Sequence, residues 1–204
     1  MFIMAMTFLP CFLSLEPPMP HPLARRDALV FSHLGFYVRD IERMARFYKG
    51  PMGFFETDRG LLGTVQLVFL SRDPGEHHQI VLASGRPEGP GFNLINQISL
   101  RVPDLATLRA VRNGVVAEPD ISELITATHG NAISIYFRDP EGNRLEVFLD
   151  TPWYCEQPLR EPIDIDRPDA EVMAQAEALA RSRPRFRSRA EWRADMERLM
   201  GYGA

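Results

Sequence analysis

His33-Leu-Gly-Phe-Tyr-Val-Arg-Asp-Ile41 and Gln97-Ile-Ser-Leu-Arg-Val-Pro-Asp-Leu105 are two versions of one pattern. Each is a short apolar run that ends at an aspartate placed to cap a helix. The echo continues downstream, where Phe69-Leu-Ser-Arg-Asp-Pro74 matches Ile135-Tyr-Phe-Arg-Asp-Pro140. A repeat on this scale points to a duplicated supersecondary unit.

Working outward, the first half reads as a strand over 31–38 and a helix over 41–52. Ile41, Met44, Phe47 and Tyr48 fall on one helical face, and Gly53 stops the helix. Strands are expected over 54–58, 65–71 and 78–83. Residues 85–92 are rich in Gly and Pro and read as a linker. The second half repeats the order: a strand over 95–102, a helix from Leu105 with Leu108 and Val111 inward, then strands over 121–128, 133–138 and 144–149. The expected fold class is therefore α+β. Two βαβββ modules, 28–86 and 92–150, pair edge to edge in a curved mixed sheet around a cavity, and a helical tail follows.

That tail, 151–204, begins extended, with Pro152, Pro158, Pro162 and Pro168. A helix is expected over 169–181 with Val172, Ala176 and Leu179 inward. A second is expected over 188–200, where Ser188 and Glu191 form a capping box. Trp192, Met196 and Leu199 would mark its buried face. Residues 1–27 read as a leader and linker: the first fifteen are apolar, Pro10 interrupts them, and no basic residue precedes Arg25. That differs from an export signal, and the run is too short to span a bilayer.

The 204 residues carry 45% hydrophobic and 25% charged side chains and a formal net charge of −4. This is ordinary globular composition with no basic surface for nucleic acid. Cys11 and Cys155 have neither metal nor redox spacing. A reducing, cytoplasmic setting and no membrane association are the expectation.

The duplicated unit, with His33 in its first strand and Asp139-Pro-Glu-Gly-Asn-Arg-Leu-Glu146 closing the second, resembles the vicinal oxygen chelate superfamily. That family includes glyoxalase I and the type I extradiol ring-cleavage dioxygenases, and the resemblance spans residues 28–150. It implies a divalent metal, Fe(II) or Mn(II), held by His33, Gln97 and Glu146, and a homodimer. Read directly, Glu146 lies in an apolar strand, where a carboxylate is costly unless paired or metal-bound. Gln97 departs from the extradiol pattern, which has histidine there. An amide oxygen is a weaker ligand than imidazole, and some glyoxalase I sites use one.

Other residues match the extradiol pattern. His78, second of a His-His pair, corresponds to an acid–base group. Tyr136, ten residues before Glu146, corresponds to a substrate-orienting phenol. His129 resembles a further active-site histidine, though its spacing to Tyr136 differs. Tyr154 and Phe148 are expected to line the substrate site, and Trp153 to anchor the tail.

Three functions follow from the resemblance. The first is a metal-dependent extradiol-type dioxygenase or close relative acting on a catechol-like aromatic diol. The second is a glyoxalase-type isomerase or lyase, in which the metal acts as a Lewis acid. Against it, Ile80 occupies the place that Glu146 repeats, so a second carboxylate is missing. The third is a non-enzymatic binder that uses Phe36, Phe69, Phe148 and Tyr136 as stacking surfaces.

Overall fold

The computed structural model describes residues 30–89 and 95–200. The expected leader and part of the expected linker lie outside the described residues.

The first module runs β1 (Leu34–Val38), α1 (Ile41–Lys49), β2 (Phe55–Leu62), β3 (Val65–Ser71) and β4 (Ile80–Ser84). Its sheet has the order β1-β4-β3-β2, with β1 parallel to β4 and the other pairs antiparallel. The second module repeats this as β5 (Ile98–Arg101), α2 (Leu105–Val116), β6 (Ser122–Thr128), β7 (Ala132–Arg138) and β8 (Arg144–Asp150). Its strands follow the order β6-β7-β8-β5. The expected aspartates start both helices: the Asp40 carboxylate accepts from the Arg43 amide at 2.9 Å and Asp104 from the Thr107 amide at 2.7 Å.

Within one chain the sheets remain separate ladders, because each turns its helix-facing side into one shared core. Val38, Val68, Leu70, Ile80 and Leu82 of the first sheet meet Ile133, Ile135, Phe137, Leu145 and Val147 of the second. Met44, Phe47, Tyr48 and Leu108 from the helices fill the same cluster. Phe36 belongs to this core and is not a stacking surface for a ligand. Val111, expected inward on α2, is only partly buried, and Val115 takes the buried place.

The Asp139–Asn143 turn joins the modules. Glu141 Oε1 accepts from the backbone amides of Arg39 and Asp40 at 2.7 and 2.8 Å. Asp139 accepts from the Tyr48 hydroxyl at 3.3 Å and from the Glu141 and Asn143 amides. Burial holds the Asp139 carboxyl above its ordinary pKa, while these donors oppose the shift. The motif that identifies the second module is therefore a clamp on the first.

Ladder register corrects the sequence pairing of the halves. Gly35 lies opposite Val81, and Ser99 lies opposite Glu146. Phe69 then faces Val81 as Tyr136 faces Glu146. The counterpart of Glu146 is thus Val81, not Ile80, and that of Tyr136 is Phe69, not Leu70. A slip of one residue turns every side chain to the other face; Ile80 and Leu70 point into the core.

Beyond β8 the chain forms β9 (Trp153–Tyr154), β10 (Glu161–Pro162), α3 (Asp169–Arg181), β11 (Arg187–Ser188) and α4 (Arg189–Leu199). β10 adds to the β6 edge, and β11 pairs with β9. Ile163, Ile165, Val172 and Ala176 enter the main core. Cys155, Leu159 and Ala180 form a smaller cluster that Leu179 and Trp153 flank. The capping box at Ser188 and Glu191 is present, but α4 buries no residue, and Leu199 is 43% exposed. Trp192 instead stacks on Tyr154, with ring centroids 5.2 Å apart. Among the described residues no helix is long and apolar enough to cross a membrane.

Candidate functional site

The second sheet carries a polar cluster on the face turned away from the helices. Strand alternation sets it there: Ser134 and Tyr136 on β7 and Glu146 on β8 share a side, while Ile133, Ile135, Leu145 and Val147 take the core side. Glu146 is 8% exposed. A bare carboxylate so buried would be costly, yet four donors reach it. Gln97 Nε2 donates to Oε2 at 2.9 Å and the Ser99 hydroxyl at 2.7 Å. The Ser134 hydroxyl donates to Oε1 at 2.9 Å and the Tyr136 phenol at 2.6 Å.

His129 stands behind the phenol, its Nε2 2.7 Å from the Tyr136 oxygen. Its Nδ1 bonds the backbone carbonyl of Leu159, from the C-terminal segment. A carbonyl only accepts, so Nδ1 carries the hydrogen. The single phenolic proton can go to Glu146 or to His129, not to both, so the line can pass one proton along it. Burial first, then the Glu146 carboxylate, pushes the Tyr136 pKa up to about 12. At neutral pH it is a hydrogen-bond donor, not a phenolate.

His33 and His78 lie on the first module. Their rings meet at 4.3 Å between centroids, and His78 also abuts Phe69 at 5.2 Å. His77 Nδ1 lies 2.9 Å from His78 Nδ1, so one ring donates to the other. Burial first, then the neighbouring imidazoles of His33 and His77, lowers the His78 pKa. This leaves it a neutral base at neutral pH.

The expected site residues therefore form two groups: Gln97, Glu146, Tyr136 and His129 on the second module, His33 and His78 on the first. Phe148 lies on the Glu146 side of its strand, with the Arg101 guanidinium 5.4 Å from its ring centroid. Tyr154 is tied up by Trp192 and the Arg187 guanidinium and stands in the C-terminal assembly.

The donor types present, imidazole, carboxylate and amide oxygen, suit a divalent metal. Among the described residues no group of three His, Cys, Asp or Glu side chains could hold a metal ion. Ser99, Ser134, Arg144 and the Leu159 carbonyl were not expected. Period-two spacing from Gln97, Tyr136 and Glu146 marks the first three; nothing local marks Leu159.

Residues 30–147 match the model of the Glyoxalase/Bleomycin resistance protein/Dioxygenase superfamily. Among curated proteins none matches the chain. Among solved structures, a glyoxylase/bleomycin resistance protein/dioxygenase domain from Frankia sp. EAN1pec is similar at 22% identity and TM-score 0.51. The match covers 60% of this chain and 98% of that one. The fosfomycin resistance protein FosX from Mesorhizobium loti matches at 22% identity and TM-score 0.44, covering 58% and 89%. FosX from Listeria monocytogenes, solved with Mn(II) and sulfate, matches at 15% identity and TM-score 0.41, covering 60% and 93%.

Proposed function

Because this chain belongs to the Glyoxalase/Bleomycin resistance protein/Dioxygenase superfamily, we propose that it is a metal-dependent, extradiol-type ring-cleavage dioxygenase or close relative acting on a catechol-like diol. The observation that carries this reading is the buried Glu146 carboxylate with the Tyr136 phenol at 2.6 Å and His129 directly behind it. A carboxylate oxygen with a phenol and an imidazole in line beside it on one sheet face supports reading them as a metal ligand with a proton path.

Glu146 and Gln97 of one copy, with His33 of a second copy, would hold Fe(II) or Mn(II) in a homodimer. The first module leaves Tyr37, Phe55, Leu61 and Leu62 at least 60% exposed, apolar surface that a partner would cover. When bound, the metal would draw two adjacent ligand oxygens to one positive charge and, as iron, supply dioxygen chemistry. Tyr136 then donates its hydrogen bond to a ligand oxygen or to Glu146, according to which carries more negative charge. His129 Nε2 takes or returns the proton through the Tyr136 oxygen. His78, neutral and beside His33, accepts a proton from the other side of the ligand. Phe69 and Phe148 flank the ring. The isomerase reading loses ground, because Val81 stands where it needs a second carboxylate.

Mixing separately purified His33→Ala and Glu146→Ala proteins tests this. Each alone should lose metal and oxygen uptake with catechols. If the site spans two copies, random exchange restores one site in each hybrid, about a quarter of the wild-type total. Wild-type protein that retains no metal after anaerobic loading with iron or manganese would sink the metal reading.

A further inference from the structure

Arg144 lies two residues before Glu146 on β8 and on the same face. It is half-buried, and its guanidinium sits 5.0 Å from the Tyr136 ring centroid. Its neighbours on the sheet are answered: Arg138 by Glu123 at 2.8 Å, Arg101 by Asp150 at 3.1 Å. Among the described residues no carboxylate pairs with Arg144. The nearby Glu123 is depressed in pKa first by its hydrogen bond to Arg138 and only last by the charge of Arg144. Stacking on an aromatic ring occupies the flat face of the guanidinium. It leaves the guanidinium's donors free to form a planar fork.

We propose that Arg144 forms an anion subsite beside Glu146, so that the ligand is a ring with a carboxylate at one end and its vicinal oxygens at the other. This rests on the diol reading above for the oxygen end alone. Two strand residues span roughly 7 Å, a distance suited to a six-membered ring substituted at both ends. The ring would pass alongside Tyr136, with its carboxylate bidentate on Arg144 and its oxygens toward Glu146. A lysine would supply the charge without the fork.

Calorimetric titration of the full chain with catechol, benzoate and 3,4-dihydroxybenzoate tests the subsite. The dihydroxybenzoate should bind tighter than catechol by on the order of tenfold, the effect of one charge-assisted bond. Arg144→Gln should bring that ratio to about one, and Arg144→Lys should keep part of it, with thermal melts confirming that both variants fold. Equal binding of catechol and dihydroxybenzoate, a preference that survives Arg144→Gln, or no binding of any of the three overturns the subsite. If dihydroxybenzoate binds no better than benzoate, and both depend on Arg144, the anion subsite stands and the diol reading falls.

Discussion

Phe69 and Tyr136 stand at the same place in the two halves of the fold, the first opposite Val81 and the second opposite Glu146. Around them the equivalence continues: Gly35 answers Ser99, and Leu67 answers Ser134. One scaffold thus carries an apolar face on its first sheet and a polar face on its second. Duplication supplied the geometry, and the side chains divided the chemistry.

Tyr136→Phe should cost about 1 kcal/mol of stability in urea unfolding, because Glu146 keeps three other donors. A loss of several kcal/mol would mean that these three cannot support the carboxylate alone.

The acid limb of stability should carry a Glu56 signature. Hydrogen bonding to Arg59 first, then to Lys49 against a burial penalty, holds its pKa down to about 2. The folded value lies below the ordinary one of 4.5. The contribution is therefore complete above that value and disappears as pH falls from 5 toward 2. Glu56→Gln should flatten the melting-temperature profile in this window. Asp139 works the other way, since burial raises its pKa and its penalty is relieved as pH falls. A steeper acid limb in the Gln variant would contradict the assignment.

Gly130 has φ +74°, and an added Cβ would stand 2.8 Å from Cys155 Sγ and 3.1 Å from Ala180 Cα. Gly142 has φ +82° but open space around it. Gly130→Ala should cost on the order of 2–3 kcal/mol, combining strain and overpacking. Gly142→Ala should cost about 1–2 kcal/mol, from the backbone alone. Equal melting temperatures for the two variants would show that the C-terminal segment yields easily around Gly130.

Ending the chain at Asp150 should abolish cooperative unfolding. It removes Ile163, Ile165 and Val172 from the core, each worth roughly 1.5–3 kcal/mol of burial. It also removes the carbonyls of Ile165 and Arg167 that Arg109 bonds at 2.6 and 2.8 Å. Sharp near-ultraviolet dichroism and a single transition in the shortened protein would refute this.

The duplicated modules were legible because Asp40 and Asp104 cap helices between apolar strands, and α3 was legible through its periodicity. The strand ladder was misread by one residue, since Arg72 adds a position that the Arg-Asp-Pro match conceals. The face of α4 was misread because Trp192 spends its ring on Tyr154, a pairing between distant segments that no local pattern encodes. Glu146, Tyr136 and Gln97 were singled out by the family resemblance and the internal repeat, and they meet around one carboxylate. The split between their cluster and His33 depends on which sheet sides share the core, a tertiary outcome.

β10 has a further effect. By pairing with β6 through Glu161 and Pro162, it covers the Ala127–Thr128 end of that strand's outer edge. A border already taken cannot recruit a neighbour's backbone. Strand addition along β6 is therefore blocked at its Ala127–Thr128 end, which guards that stretch against templated aggregation.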